Sequence, residues 1–173
     1  MPLAVTHVIL TIIAVDLYRD YVAKHKRYFT LWTVFVAGVA GLIPDIDILL
    51  YPLLTTLNID ISLLAHGQIT HTPIFASVFL IPFAILWLRK KHRLGVIFLV
   101  VFVGIMSHIL LDYVIKGGDE NGLMFFYPFS TERYKIFLLD GTNSILNTAG
   151  LDAIILLLWL LHEEWKHKIK DYI

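Results

Sequence analysis

The chain of 173 residues contains no cysteine. Disulfide bonds and thiolate ligands for a metal are therefore excluded, although the absence of cysteine does not identify the cellular compartment. Any metal that this protein binds must be held by imidazole and carboxylate groups, a ligand set that suits zinc, manganese or iron.

Charge is also scarce. Charged residues make up 16% of the chain, and 14 lysines and arginines balance 14 aspartates and glutamates. With no net charge there is no bulk attraction to nucleic acid, so nucleic acid is not expected as a partner. Hydrophobic residues reach 58% and the mean hydropathy is +0.75, whereas a soluble domain has about 45–50% apolar residues. This excess predicts an integral membrane protein surrounded by membrane lipid.

The apolar residues are grouped in five blocks, near residues 3–18, 30–50, 73–88, 94–115 and 144–162. A transmembrane helix needs about 20 apolar residues, so the first and third blocks are short and require thinning of the bilayer or packing against neighbours. We predict an all-α fold, a polytopic helical bundle of about five transmembrane helices that forms a single domain over residues 1–173. The first block lacks the basic segment and cleavage site of a signal peptide, so it is expected to be a retained helix.

Lysine and arginine concentrate near residues 19–27, 89–93 and 166–170. Five spans place these three segments on one side of the bilayer, and the positive-inside rule makes that side cytoplasmic. The N-terminus and the loops at 51–72 and 116–143 then face outward, and the C-terminus is cytoplasmic. The expected location is the inner (cell) membrane, with several passes.

Local signals agree with these boundaries. Thr72 and Pro73 are typical of the N-cap and first residue of a helix. Gly38 and Gly41 allow close helix packing in the second span. Pro44 is expected to loosen the outer end of that span and to free backbone groups there.

Histidines and aspartates from separate parts of the sequence fall at the same outer end of the predicted bundle. They are His7 in the first span, Asp45 and Asp47 in LIPDID, His66 and His71 in AHGQITHT, and His108 and Asp112 in SHILLDY. The topology rests on the apolar blocks and on lysine and arginine, not on these residues, so their common depth is independent support for a shared site.

The chemistry of this set predicts a divalent metal site. His108 and Asp112 share one helical face because they are four residues apart. Buried imidazole and carboxylate groups are costly unless they are paired or bind a metal. Zinc is favoured, with manganese or iron as alternatives. Seven candidates exceed one tetrahedral shell, so either two ions bind or some residues support the ligands or act in catalysis.

Each residue also has a simpler explanation. A single histidine near the membrane interface, such as His7, commonly forms only a hydrogen bond. Asp45 can be a helix-end residue beside Pro44, and the carboxylate of Asp47 can be solvated. His66 lies in a loop and carries the weakest individual signal. The prediction of a metal site therefore rests on the set rather than on any member.

Other polar residues are expected to be structural. Asp16 is positioned to pair with Arg19, three residues later. Asp152 lies within the last span and requires a partner, and Asn143 and Asn147 are candidates to line the same outer cavity.

Four histidines lie among basic residues and are expected to be solvated: His25, His92, His162 and His167. The sequence His162-Glu163-Glu164 lacks the second histidine of the zincin motif, so a metalloprotease is not predicted.

The ordered motifs resemble a family signature. LIPDID, the H-x4-H segment that ends in THT, SHILLD and the aromatic segment GLMFFYPFS are similar to the inner-membrane-associated metal-dependent hydrolases of the LexA-binding, YdjM-like family, from His7 to about Ser130. The resemblance implies that the family's metal positions are occupied by Asp45, Asp47, His66, His71, His108 and Asp112. It also implies a distant likeness to zinc-dependent phospholipase C and P1-type nucleases.

The chain departs from this family pattern at one point. The family usually shows His-Arg-Gly before Thr-His-Ser, whereas Gly67 directly follows His66 here and Thr72 follows His71. The missing arginine would have been a natural contact for phosphate. A phosphoester substrate is therefore less strongly indicated than hydrolysis in general.

The function expected from these observations is metal-dependent hydrolysis at the outer membrane face, on an amphiphilic or lipid ester or phosphoester. Asp45 or Asp47 would act as the general base. The alternative is a non-enzymatic metal-binding or transport protein, although a transporter more often carries polar groups through the midplane and shows inverted repeats. A membrane adaptor with structural polar residues is a third possibility. The sequence leaves the substrate and the oligomeric state open.

Overall fold

The computed structural model describes residues 4–23, 27–59, 61–114, 122–136 and 149–167, without the side chains of residues 149–151 and 167. These ranges contain seven α-helices: α1 (Ala4–Leu17), α2 (Leu31–Ala40), α3 (Asp47–Thr56), α4 (Pro73–Ser77), α5 (Leu80–Leu88), α6 (His92–Val114) and α7 (Ala149–His167). A π-helical turn extends α1 to Ala23, and short 3-10 turns lie at Pro44–Ile46, Ser62–Leu64 and Ile69–His71. No strand occurs in these ranges, where one isolated β-bridge pairs Leu123 with Tyr134. The predicted all-α class is confirmed for this part of the chain.

Helix α6 is the centre of the described structure and packs against α1, α2, α4 and α5, while α7 packs against α1. One buried apolar cluster surrounds the first half of α6 and contains Val15, Val34, Ala37, Val96 and Val100. A second surrounds its last half and contains Ala76, Ile105, Ile109 and Leu123. The polar site described below lies at the same end of α6 as the second cluster.

Two parts of the described structure have the length and composition of a membrane span. Helix α6 qualifies by itself, and α2 qualifies together with residues Pro44–Thr56, which are bent from it by 44°. Helices α4 and α5 form a shorter apolar segment, Pro73–Leu88. Large apolar side chains such as Leu49, Leu88 and Trp165 are 74%, 82% and 77% exposed, and exposed apolar surface of this extent indicates an apolar environment or a partner.

The helix boundaries follow the predicted local signals, with one exception. The hydroxyl of Thr72 accepts a hydrogen bond from the backbone N–H of Phe75 at 3.2 Å, and Pro73 begins α4. The apolar segment that begins with α2 is interrupted at Pro44 as predicted. The prediction of a loop from residue 51 is wrong, because α3 continues through Pro52 to Thr56.

Glycines bring α2 into close contact with its neighbours. A Cβ atom added to Gly38 would lie 2.6 Å from Cγ1 of Ile12, which confirms the predicted close packing there. The contact at Gly104 of α6 leaves even less space. A Cβ atom added there would meet the carbonyl oxygen of Ala37, and it would lie 2.8 Å from the Cβ of Ala40 and 3.0 Å from the backbone nitrogen of Gly41. The α2–α6 contact therefore depends on the absence of a side chain at position 104.

We expect Gly104→Ala to destabilise the protein by about 1–3 kcal/mol, since an extra methyl group in a close-packed contact forces the backbone apart. Gly95→Ala, on the same helix, is the matched control. Its added Cβ would meet no atom closer than 3.6 Å, and the better helix propensity of alanine makes this variant neutral or slightly more stable. Thermal unfolding in detergent, followed by circular dichroism, compares the two variants. Equal stabilities would contradict the packing argument.

A buried ion-pair network joins the last turn of α1 to α7. The Nη2 atom of Arg19 lies 2.8 Å from Oδ1 of Asp16, as predicted, and 3.9 Å from Oε2 of Glu163. The Nε atom of Arg19 lies 3.1 Å from Oδ1 of Asp20, and the indole nitrogen of Trp159 donates to Oδ2 of Asp16 at 3.2 Å. Asp16 and Arg19 are 0% and 3% exposed.

Two histidines expected to be solvated are partly buried. Nε2 of His162 lies 2.9 Å from the hydroxyl of Tyr21, and Nδ1 lies 3.4 Å from Oε1 of Glu163. The ring of His92 packs edge-on against Trp87, with 4.4 Å between ring centroids. The prediction of solvation was wrong for both because it used their basic sequence neighbours, whereas helix packing supplies their actual ones. His25 and the side chain of His167 lie outside the described residues.

Candidate metal centre

The break between α2 and α3 places the two aspartates of LIPDID. Asp45 lies within the 3-10 turn Pro44–Ile46 and Asp47 is the first residue of α3. Proline cannot continue the hydrogen-bonding pattern of the preceding helix, so the chain turns here and two nearby carboxylates take different directions. Asp47 is fully buried, whereas the side chain of Asp45 is 20% exposed.

His108 and Asp112 lie one turn apart on α6 and both are buried. Nδ1 of His108 donates a hydrogen bond of 2.6 Å to the carbonyl oxygen of Gly41. Since a carbonyl only accepts, this contact fixes the proton on Nδ1 and leaves the lone pair of the neutral ring on Nε2. Nε2 lies 3.2 Å from Oδ2 of Asp112.

Four side chains from three parts of the chain converge around this point. Nε2 of His108 lies 3.5 Å from Oδ1 of Asp45. Nε2 of His71 lies 3.7 Å from that oxygen and 3.7 Å from Oδ2 of Asp112. These distances exceed the 2.7–2.9 Å of a charge-assisted hydrogen bond. They match the separation of about 3.4 Å between ligands that stand about 2.1 Å from one tetrahedral ion.

His7 of α1 adds a fifth side chain. Its Nε2 atom lies 3.4 Å from Oδ1 of Asp112, and its ring stacks on that of His108 with 3.9 Å between centroids. Ligand atoms of His7, His108 and Asp112 all lie within 4.8 Å of one another, as do those of a second group, Asp45, His66 and His71. The two adjacent groups offer ligand atoms for one ion or for two.

The orphaned atoms of this cluster test whether it fits a metal. Among the described residues, the buried atoms without a hydrogen-bond partner include Nδ1 of His7, Oδ1 of Asp45, Nε2 of His71, Nε2 of His108 and Oδ1 of Asp112. Buried polar atoms normally have partners, and several exceptions at one point require an explanation. Imidazole nitrogens and carboxylate oxygens at ligand-like spacing fit a divalent cation such as zinc, manganese or iron.

Asp47, His66 and Thr70 form a layer behind these atoms. Oδ2 of Asp47 accepts a hydrogen bond of 2.6 Å from Thr70 and lies 3.2 Å from Nδ1 of His71. Oδ1 of Asp47 lies 3.0 Å from Nδ1 of His66. A carboxylate behind the far nitrogen of a histidine orients that ring and raises its basicity, as commonly found around metal-binding histidines. Asp47 thus contacts the Nδ1 atoms of His66 and His71, whereas the cluster around Asp45 and Asp112 is formed by Nε2 atoms of histidines.

The carboxylates make this end of the bundle favourable for positive charge. Burial alone lowers the pKa of His71, but the nearby carboxylates of Asp45, Asp47 and Asp112 outweigh burial and raise that pKa to about 9. The same negative potential that holds a proton on His71 favours a cation in its place.

All seven residues predicted for the site thus lie in one network, His7, Asp45, Asp47, His66, His71, His108 and Asp112. The sequence did not predict the contacts of Thr70 or of the carbonyl of Gly41. Thr70 could have been suggested by its position beside His71, whereas no sequence signal identified Gly41. Asp152 has the partner that its place in an apolar helix requires, since Thr6 donates a hydrogen bond of 2.9 Å to its Oδ1 atom. Asn143 and Asn147 lie outside the described residues.

The described part of the predicted 116–143 loop packs beside the site. Leu123 and Tyr134 exchange backbone hydrogen bonds of 3.0 and 2.8 Å, and the N–H of Met124 donates to the carbonyl of Gly67, next to His66. Leu123 and Met124 are buried, whereas Phe126 and Phe129 are 48% and 95% exposed. This aromatic segment (residues 122–136) therefore contacts the loop that carries His66 and His71, and presents apolar side chains outward.

Comparison of the sequence with known proteins identifies the family to which this chain belongs. No curated protein and no solved structure matches the chain. The YdjM inner membrane protein family matches residues 1–169, which is nearly the whole sequence. The match includes every residue of the candidate metal centre and agrees with the apolar composition and with helix α6, which is long and apolar enough to span a membrane. The chain is a member of the YdjM inner membrane protein family.

Proposed function

We propose that this inner membrane protein is a metal-dependent hydrolase whose site lies at the outer membrane face and acts on an amphiphilic ester or phosphoester. The observation that carries this proposal is the convergence of four buried side chains and the partly exposed Asp45, each with a ring nitrogen or carboxylate oxygen that has no hydrogen-bond partner among the described residues. A bound divalent ion would polarise the scissile bond and lower the pKa of water toward about 7.

The distribution of polar residues favours an enzyme over a transporter. The buried residues of α6 before His108 are Gly95, Val96, Val100, Gly104 and Ile105, all of them apolar. A transport path would require polar groups near the midplane of the bilayer. In the described structure, the metal centre and the Arg19 network lie at different ends of α1.

The contacts suggest separate roles for the two aspartates. Oδ1 of Asp45 faces Nε2 of His71 and of His108, which is the position of a ligand. Asp47 has both oxygens engaged within the protein and orients His66 through Nδ1 at 3.0 Å. A histidine held by a carboxylate in this way is a common general base. We therefore assign proton abstraction from water to His66, whose side chain is 23% exposed, with Asp47 as its positioning residue.

This assignment predicts which variants keep metal but lose activity. His66→Gln and Asp47→Asn are expected to retain bound metal, the latter with affinity lowered by about 10–100-fold, and to lose about 10²–10⁴-fold in rate. Asp45→Asn is expected to lose metal as well. The measurement is a screen of phospholipids, lipid phosphates and carboxylic esters with metal-loaded protein, combined with elemental analysis of each variant.

The outcomes of that screen separate the alternatives. If Asp45→Asn keeps metal and loses activity while His66→Gln remains active, the base is Asp45. If protein shown to hold metal turns over none of these substrates, the non-enzymatic metal-binding or transport function replaces the hydrolase.

The aromatic segment supports an amphiphilic substrate. Phe125 packs on Tyr113 with 4.6 Å between ring centroids, and Tyr113 directly follows Asp112. Exposed aromatic rings beside a site at headgroup depth have two possible roles. They could bind the acyl chain of a substrate, or they could anchor this segment at the membrane interface. Loss of activity without loss of metal when Phe125 and Phe126 become serine would support the first role.

The outward orientation of the site rests on a proposed five-span topology with the N-terminus outside and the C-terminus in the cytoplasm. Because the chain has no cysteine, single cysteines introduced at Thr56 and Lys166 can report on each end. We expect an impermeant maleimide to label Thr56→Cys in intact cells and Lys166→Cys only after permeabilisation, as the positive-inside rule requires. Labelling of both in intact cells would contradict the topology.

A further inference from the structure

A basic cavity lies at the end of the bundle away from the metal centre. It has a volume of about 370 Å³ and is lined by Arg27, Tyr28, Lys90, Lys91, His92 and Arg93, together with Leu94. An adjoining cavity of about 260 Å³ shares Arg27, Tyr28 and Arg93 and adds Trp32. His92 and His108 are sixteen residues apart on α6, so roughly 24 Å of helix separates this basic cavity from the metal centre.

Among the described residues, the lining of the basic cavity carries positive charge that no carboxylate of that lining balances. Arg27, Lys90, Lys91 and Arg93 are all exposed, and the lining contains no carboxylate. None of the four forms an ion pair with another described residue. Four like charges around one concave surface repel one another, so an anion in the cavity would relieve that repulsion.

The backbone adds to the positive potential. Helix α6 begins at His92 and runs for 23 residues, so its first N–H groups and the positive end of its dipole are at the cavity wall. Lys90 adopts a positive φ of 58° in the turn between α5 and α6, which brings Lys90, Lys91 and Arg93 to the same short segment. A phosphate group is the anion that such an arrangement commonly binds.

The surroundings favour a lipid phosphate over a free one. Trp32, which lines the adjoining cavity, is 62% exposed, and Leu31 is 67% exposed. Exposed tryptophan beside lysine and arginine is typical of the membrane interface. Phe29, next to Tyr28 in sequence, lines a separate apolar cavity of about 270 Å³ with Val15, Leu99 and Val100. Apolar surface for an acyl chain is thus present one residue from the basic lining.

We propose that the basic cavity formed by Arg27, Lys90, Lys91 and Arg93 binds the headgroup of an anionic phospholipid from the leaflet around this end of the bundle. The site is separate from the proposed hydrolytic centre and does not depend on its activity. Clusters of lysine and arginine beside a transmembrane helix bind anionic lipids by the same combination of charge and depth.

The test uses the full chain in detergent, titrated with phosphatidylglycerol or with phosphatidylcholine of the same acyl chains, and native mass spectrometry to count bound lipid. Phosphatidylglycerol is expected to bind more tightly than phosphatidylcholine. The double variant Arg27→Gln/Arg93→Gln should weaken its binding about thirtyfold, because each basic residue near an anionic lipid contributes about fivefold. Lys90→Gln/Lys91→Gln should act similarly and provides a second measurement should the first variant fail to fold, as judged by circular dichroism.

The matched control removes two charges outside the cavity, as Arg89→Gln/Lys166→Gln, and should change lipid binding less than threefold. Equal weakening in the control and the cavity variants would overturn the proposal in favour of diffuse attraction. Equal binding of both lipids would also overturn it. Complete competition by millimolar inorganic phosphate would show a free-anion site rather than a lipid site.

Discussion

Replacement of His108 by alanine is expected to remove most of the bound metal from the purified protein. His108 is fully buried, its Nε2 atom lies 3.2 Å from Asp112 and 3.5 Å from Asp45, and its Nδ1 atom donates to Gly41. Loss of one ligand from a small buried shell removes both a bond to the ion and the geometry that holds the others.

The same variant should lose metal-dependent stability. A ligand that binds only the folded state stabilises it by about 4 kcal/mol when its concentration is a thousand times its dissociation constant. Wild-type protein should therefore unfold at a higher temperature when the metal is added, and His108→Ala should not respond. Elemental analysis and thermal unfolding, with and without a chelator, measure the two effects.

His92→Ala is the matched control, because it removes a histidine from the other end of the same helix. It should keep the full metal content, since His92 contacts Trp87 and belongs to neither group of the metal centre. Equal metal content in His108→Ala and wild type would refute the assignment of the site. Equal loss in His92→Ala would show that the measurement reports damage to α6 rather than loss of a ligand.

Arg19→Met is expected to destabilise the protein by about 3–5 kcal/mol, because it removes the guanidinium group that lies against the buried carboxylate of Asp16. Arg19 is 3% exposed and lies 2.8 Å from Asp16. Unfolding of the variant in detergent at increasing denaturant gives the change in free energy of unfolding.

Two further variants separate this ion pair from general damage. Asp16→Asn/Arg19→Met should be less destabilised than the sum of its single variants, since neighbours in one network are coupled. Arg89→Ala removes an exposed arginine and should change stability by no more than about 0.5 kcal/mol. If Arg19→Met resembles Arg89→Ala, the network does not stabilise the fold.

Most residues of the candidate site can be predicted from the sequence, because their spacing and their neighbours in the chain indicate where they lie. His108 and Asp112 share a helical face by their spacing, and Pro44 lacks the N–H group that would continue the preceding helix. Apolar composition predicts a membrane environment, and the predicted spans with the distribution of lysine and arginine predict a common depth for residues far apart in the chain. Those rules were sufficient to select the seven residues that the structure brings into one network.

The sequence by itself thus determined the helical class, the membrane character and the members of the cluster, but not what each member faces. Only the tertiary structure placed Asp47 against Nδ1 of His71 and His66, and Asp45 against the Nε2 atoms. It also showed that Gly104 allows the approach of Gly41, whose carbonyl orients His108. The direction of a carboxylate and the tautomer of a histidine depend on atoms from other helices, and the packing of whole helices determines those contacts.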